Sequence, residues 1–169
     1  AEFEAMRRVH HENVVHAAEF GEAAPHAFWA QLEFCAGGDL KVRLAAANVT
    51  GIDEPTAWKW TCECAAGLEA IHAAGIMHRD IKPENVLLTA ADDAAAKCKL
   101  GDLGLGVDIE GTAVSFRGGK AGTLIYMAPE VLAGDKYSAR ADVFSLGMVY
   151  FEVSSGGAHK FQNHDGERD

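Results

Sequence analysis

The residues with the most chemical potential stand in one run, His78-Arg79-Asp80-Ile81-Lys82-Pro83-Glu84-Asn85, with Asp102-Leu103-Gly104 following seventeen residues after Asn85. Asp80 and Asn85 are separated by a Pro-containing loop that can hold both on one side of a cleft. Asp102 stands just ahead of Gly104, which permits a sharp turn. Carboxylates, an amide oxygen and an ammonium at the ends of short strands make a set suited to phosphoryl transfer. That reaction needs a carboxylate to orient a hydroxyl, oxygen ligands for Mg2+, and a cation to meet developing charge. Asp80 supplies the first, Asn85 with Asp102 the second, and Lys82 the third.

The elements that must hold these groups can be read from periodicity. Residues 2–10 are expected as a short helix with Phe3 and Met6 on its apolar face, and Val14-Val15 as a strand. Residues 21–25 read as a turn, and 28–34 as a second strand ending at Ala36-Gly37-Gly38. Residues 40–47 read as a short helix. Asp53-Glu54-Pro55 carries the marks of a helix start: a capping Asp, an acidic first turn and a tolerated Pro. The helix it opens should bury Trp60, Cys64, Leu68 and Ile71, spaced by four, four and three, and Gly75 should stop it. Short strands are expected at 86–88 and 98–100. Residues 104–127 are Gly-rich, polar and aperiodic, too long for a passive connection and so expected to be functional. Residues 143–153 are apolar on every side apart from Ser145 and Glu152, which predicts a helix buried all round. Residues 154–169 show no periodicity. Helix dominates and strands are few, an α+β composition.

The chain has 169 residues with 15 Lys or Arg against 25 Asp or Glu, a formal charge of −10. Its 49% hydrophobic and 24% charged content is that of an ordinary globular domain, and the length suits one domain with a real core. No apolar run is long enough for a membrane-spanning helix. The acidic balance argues against nucleic acid as the main partner, since neutralising phosphates needs clustered Lys and Arg. The chain opens at Ala1 inside what reads as a helix, with no charged leader or apolar h-region, so a fragment of an intracellular, cytoplasmic protein is expected. In a reducing compartment Cys35, Cys62, Cys64 and Cys98 are expected as thiols. Cys62 and Cys64 lie two apart on a helix, pointing to nearly opposite faces, and cannot share one metal.

The run from His78 to Asn85 resembles the catalytic loop of eukaryotic protein kinases, H-R-D-x-x-x-x-N. Asp102-Leu103-Gly104 is similar to the family's D-F-G with Leu for Phe, and Ala128-Pro129-Glu130 matches A-P-E. Lys82, two residues after Asp80, is typical of the Ser/Thr class. The resemblance implies a protein-kinase-like fold, mostly the helical large lobe. It also implies ATP and Mg2+ as cofactors and a protein or peptide as substrate. Carried over by position, Asp80 would accept or orient the hydroxyl proton, Asp102 and Asn85 would hold Mg2+, and Lys82 would contact the transferring phosphate. Glu2 would pair with the small-lobe Lys. Leu32 would be the gatekeeper, and Glu33 and Cys35 would offer backbone groups to adenine. Asp39 would reach the ribose or a basic substrate side chain, Leu87 would floor the adenine pocket, and Thr123 would brace Asp80 and Lys82. Asp142 would hydrogen-bond the backbone around His78-Arg79. Arg79 would bind a phosphate on the activation loop, for which Ser115 and Thr112 are the candidates. With Asp39, Glu84 would favour basic peptides by charge complementarity.

The chain departs from the family where it lacks a G-x-G-x-x-G loop and a V-A-I-K strand ahead of Glu2. It is therefore expected to be truncated at both ends. Residues 1–34 would be a small-lobe remnant from the αC helix to the hinge strand. Residues 35–153 would form the large lobe as far as a buried αF-like helix, and 154–169 an irregular tail. Such a chain would grip ATP poorly, and its own turnover is expected to be absent. The alternatives are a pseudokinase-like scaffold and a small-molecule phosphotransferase. Retention of Asp80, Asn85 and Asp102 counts against the first, and the Ala128-Pro129-Glu130 and Thr123 segment against the second.

Overall fold

The computed structural model describes residues 7–24, 27–47, 52–103, 107–108 and 121–155. Glu2, Thr112 and Ser115 fall outside them, as do most of the helix expected at 2–10, whose end at residues 7–8 is helical, and the tail beyond residue 155.

Strands β1 (Ala17–Ala24) and β2 (Ala27–Leu32) form an antiparallel ribbon in which Ala17 faces Leu32 and Gly21 faces Trp29. The turn expected at 21–25 therefore starts later than the glycine suggests. Gly21 lies within β1, and a Cβ there would stand 2.9 Å from the Trp29 indole, so the glycine makes room for a cross-strand aromatic ring. The strand expected at Val14-Val15 is likewise only a rung. Val14 forms a single parallel bridge to Leu100, whose amide donates to Asn13 O and whose carbonyl accepts from Val15 N, each at 2.8 Å. Both valines are buried, so a two-residue apolar pair here marks packing rather than a strand of its own.

The remaining strands are very short. β3 (Gly38–Asp39), β5 (Val86–Leu88) and β6 (Cys98–Leu100) form an antiparallel sheet in the order β3-β5-β6. β4 (Ile76–Met77) pairs with β7 (Val107–Asp108). A 3-10 turn at Pro83–Asn85 leads into β5, and another spans Ala121–Tyr126 within the segment expected to be irregular.

Among the described residues the α-helices after the first strands are α1 (Leu40–Ala47), α2 (Glu54–Ala73), α3 (Pro129–Leu132) and α4 (Arg140–Ser154), of which α1 and α2 pack on this small sheet. In α2 the Asp53 side chain accepts from Thr56 N at 3.1 Å, Pro55 occupies the first turn, and Gly75 follows with φ +76°. Its inner face buries Trp60, Cys64, Leu68 and Ile71, each worth about 1.5–3 kcal/mol relative to exposure for the large side chains. Cys62 is exposed and Cys64 buried, as their spacing requires. Gly67 lets the Asn13 rung approach α2: a Cβ at that position would lie 2.4 Å from Asn13 O.

Helix α4 corrects the expectation of burial all round. Leu146, Val149 and Val153 are buried, but Val143 is 57% and Phe144 40% exposed. Contact with α2 and with residues 121–126 covers one face, and no described element covers the other. Apolar composition on every side states which faces can be buried, not which neighbour buries them.

Candidate active site

The expected cluster is assembled at the end of β4 and the start of β5. Lys82 Nζ lies 2.6 Å from Asp80 Oδ2, and Asn85 Nδ2 donates to the same oxygen at 3.0 Å and to Asp80 O at 2.7 Å. Asp80 is thus held between a cation and an amide within its own loop. Pro83 opens the 3-10 turn that closes this loop, and the Asn85 amide donates back to Lys82 O at 2.9 Å. Because Asn85 spends its nitrogen on Asp80, its Oδ1 remains as an acceptor.

The loop's geometry rests on Asp142, near the start of α4. Its carboxylate accepts from His78 N at 2.9 Å, from Arg79 N at 2.8 Å and from His72 Nε2 at 2.8 Å. The contact to the His78-Arg79 backbone is the one expected from the sequence. Burial pushes the Asp142 carboxyl up, but the His72 bond and the Arg79 and His78 amides outweigh it and hold the group below its ordinary range. Arg79 has φ +70°, a conformation that L-residues adopt at a cost, and the carboxylate pins it there. Its guanidinium lies 5.6 Å over the Tyr137 ring, and its Nε is buried with no hydrogen-bond partner among the described residues.

His78 and Gly101 tie this loop to Asp102. His78 is fully buried, and burial drives its basicity down despite Asp142 nearby. Its Nε2 faces Gly101 O at 2.9 Å and its Nδ1 faces Asp80 N at 3.4 Å, which fits a neutral ring protonated on Nε2. Gly101 N in turn donates to Asn85 O at 2.9 Å. A Cβ on Gly101 would meet Leu87 Cδ1 at 3.3 Å and Val15 Cγ2 at 3.4 Å. Asp102 then takes φ +54° and is exposed, while Leu103 is buried. The role of Gly101 was not read from the sequence; a glycine between a strand and an Asp is the signal that could have shown it.

The residues expected around a nucleotide are partly occupied by structural tasks. Leu32 ends β2 opposite Ala17 and is 46% exposed. Glu33 binds Lys99 Nζ through Oε1 at 2.8 Å and Oε2 at 2.9 Å, and accepts from His16 N at 3.3 Å. Burial pushes its carboxyl up, but Lys99 and the His16 amide bring it below its usual value. Cys35 is buried; burial and the Glu33 charge raise its thiol, while its carbonyl accepts from Gly38 N at 3.1 Å. Asp39 Oδ1 caps α1 by accepting from Val42 N at 2.8 Å, leaving one carboxylate oxygen outside that bond. Leu87 sits in β5 between Asp39 and Lys99, with its side chain against Gly101. Thr123 lies within the 3-10 turn, with its side chain outside the described set. Glu84 is exposed on the turn beside Asn85.

This geometry agrees with what comparison with known proteins finds. The family model described as "Protein kinase domain" matches residues 1–169. The chain is 34% identical over 153 residues to Serine/threonine-protein kinase ATG1b of Arabidopsis thaliana, covering 89% of this chain and 20% of that protein. It is 35% identical to Serine/threonine-protein kinase PknJ of Mycobacterium bovis (88% of this chain, 24% of that protein). With Serine/threonine-protein kinase ULK1 of Homo sapiens the identity is 30% (93% of this chain, 15% of that protein). The chain therefore spans about a fifth of the length of the curated relatives it matches. With its α+β mix of short strands and helices, the chain belongs to the protein kinase domain family.

Proposed function

We propose that the protein carrying this chain is a Ser/Thr protein kinase that moves the γ-phosphoryl group of ATP to hydroxyls of protein substrates. The observation that carries the reading is the compact set of Asp80, Lys82 and Asn85, locked to the strand end that presents Asp102. Asp80 orients the incoming hydroxyl and takes its proton as the oxygen attacks the γ-phosphorus and ADP departs. Lys82 lies against Asp80 and places its charge where the transferred phosphoryl group gathers negative charge. Asn85 Oδ1 and the Asp102 carboxylate are hard oxygen donors of the kind Mg2+ takes, so the residues present fit that ion. Bound Mg2+ supplies neutralisation of the phosphate charge. Thr123 braces Asp80 and Lys82 from the substrate side.

For the nucleotide, backbone groups of Glu33 and Cys35 meet adenine, Leu32 is the gatekeeper, Leu87 floors the adenine pocket, and Asp39 reaches the ribose or a basic substrate side chain with the oxygen not used to cap α1. Glu2 pairs with a small-lobe Lys. Exposed Glu84 favours peptides with basic residues. The arrangement follows a small-lobe remnant over 1–34, a large lobe over 35–153 and a tail over 154–169. An intracellular, cytoplasmic location is in keeping with a reaction that consumes ATP with Mg2+. The 169 residues contain neither a G-x-G-x-x-G loop nor a V-A-I-K strand, so the isolated chain is silent.

The test is incubation of the full-length protein and of this chain with γ-labelled ATP, Mg2+ and a mixed protein substrate, followed by acid hydrolysis. Label on phosphoserine or phosphothreonine from the full-length protein alone is expected. A silent full-length protein would leave the scaffold reading in its place, and robust labelling by the isolated chain would overturn the account of its inactivity.

A further inference from the structure

Strand β6 turns one face toward the start of the chain. Cys98 and Leu100 are buried, so Lys97 and Lys99, which alternate with them, share the opposite face. Each lysine meets one carboxylate. Lys97 Nζ lies 2.7 Å from Glu12 Oε2, with side chains 54% and 67% exposed, and a pair so open to water contributes little. Lys99 Nζ lies 2.8 Å from Glu33 Oε1 and 2.9 Å from Oε2, with side chains only 12% and 33% exposed. An ammonium shared by both oxygens in a half-buried setting is screened far less, and it fixes the carboxylate in place.

Glu33 is held from a second side as well. Its N–H donates to His16 O at 2.8 Å and its Oε2 accepts from His16 N at 3.3 Å, which closes a reciprocal ring between the two residues. With the N–H spent there, the backbone group that Glu33 can offer outward is its carbonyl, an acceptor suited to the amine of adenine. Lys99 stands opposite Leu87 in β5 and three residues before Asp102. It therefore fastens the strand that presents Asp102 to the segment expected to meet adenine. We propose that Lys99 is a positioning residue for the nucleotide: through the Glu33 carboxylate it fixes where the Glu33 carbonyl meets adenine. This rests on the kinase reading above for its ligand.

The test compares Lys99→Met, which keeps length but removes the charge, with Glu33→Gln, Lys99→Arg and Lys97→Met in the full-length protein. Hydrogen bonds to charged groups set the scale, so Lys99→Met and Glu33→Gln should each raise the ATP KM about tenfold. The double variant should lose no more than either alone. The peptide KM and the kcat at saturating ATP should stay put. Lys99→Arg should keep a near wild-type ATP KM, and Lys97→Met, on the same face, should move nothing. An ATP KM unchanged in Lys99→Met, an equal rise in Lys97→Met, or ATP and peptide KM rising together overturns the proposal. If Lys99→Met fails to fold, Glu33→Gln carries the same expectation in its place. If the wild-type protein proves inactive, the kinase reading fails separately, and amide hydrogen exchange of the full-length protein decides the positioning. Exchange over 32–38 that is faster in Lys99→Met than in Lys97→Met supports it, and equal exchange in the two overturns it.

Discussion

Replacing Asp142 by Ala removes the acceptor on which the 78–80 loop hangs. Its carboxylate is 3% exposed and receives three hydrogen bonds of 2.8–2.9 Å from His72, His78 and Arg79. Hydrogen bonds to a charged group contribute about 1.5–3 kcal/mol each, but three on one carboxylate are not additive. Breaking a buried charged contact from one side gives a scale of about 3–5 kcal/mol, which is the loss expected for Asp142→Ala. Arg79 would at the same time be released from φ +70°, recovering about 1–2 kcal/mol of local strain while moving the Asp80 backbone away from Lys82 and Asn85. Asp142→Asn keeps one oxygen for Arg79 N but sets an NH2 group against a neighbouring donor, so it should lose about 2–3 kcal/mol. Urea unfolding followed by tryptophan fluorescence, which includes buried Trp60, reads the difference. For a chain of this size the Ala variant should melt about 10 °C lower. A loss under about 1 kcal/mol for Asp142→Ala would refute the reasoning, since the carboxylate would then be passive in holding the loop.

Three further outcomes are expected. Gly67→Ala drives a Cβ to 2.4 Å from Asn13 O, a backbone atom that cannot swing aside, so unfolding should show a loss of about 1–3 kcal/mol despite the better helix former. Stability should fall with acid in two stages. His78, whose folded pKa lies below its ordinary 6.5, favours proton uptake by the unfolded chain, so loss begins as pH falls through that value. Asp142 and Glu33, held below their ordinary 3.8 and 4.5, contribute stability that is present above those values and lost as pH falls through the folded ones. Denaturation midpoints measured from pH 8 to 3 should therefore decline steadily, and Asp142→Asn should flatten the lower stage. Leu103→Ala empties a buried site behind Asp102 and should cost about 2–5 kcal/mol by the same unfolding assay.

Much of this site is legible in the residues themselves. Asp53 and Pro55 mark the start of α2, Gly75 marks its end, and the spacing of Trp60, Cys64, Leu68 and Ile71 names the buried face. Asp80, Lys82 and Asn85 are close in sequence, so a short loop was enough to bring them together. The Asp142 contact spans 64 residues to His78 and could be anticipated only through the family resemblance. What stayed hidden depends on neighbours distant in sequence. Gly21 looks like a turn residue until Trp29 is placed across from it, and Val14-Val15 looks like a strand until Leu100 supplies its single rung. The exposed face of α4 has the same origin, because Val143 and Phe144 are as apolar as Leu146 and Val149. Glu152 was visible as an exception in an apolar run, yet its partners Lys41 and Tyr126 lie 111 and 26 residues away.

The role proposed for Asp80, set by Lys82 and Asn85, is to orient the substrate hydroxyl and take its proton during phosphoryl transfer. Its most direct test is the single-turnover rate of phosphate transfer from ATP to a Ser/Thr peptide by the full-length protein, wild type against Asp80→Asn. The account expects a fall of about 10²–10⁴-fold in the transfer rate with ATP binding retained, in line with loss of a positioned acid-base group. A transfer rate in Asp80→Asn equal to that of the wild type would contradict it.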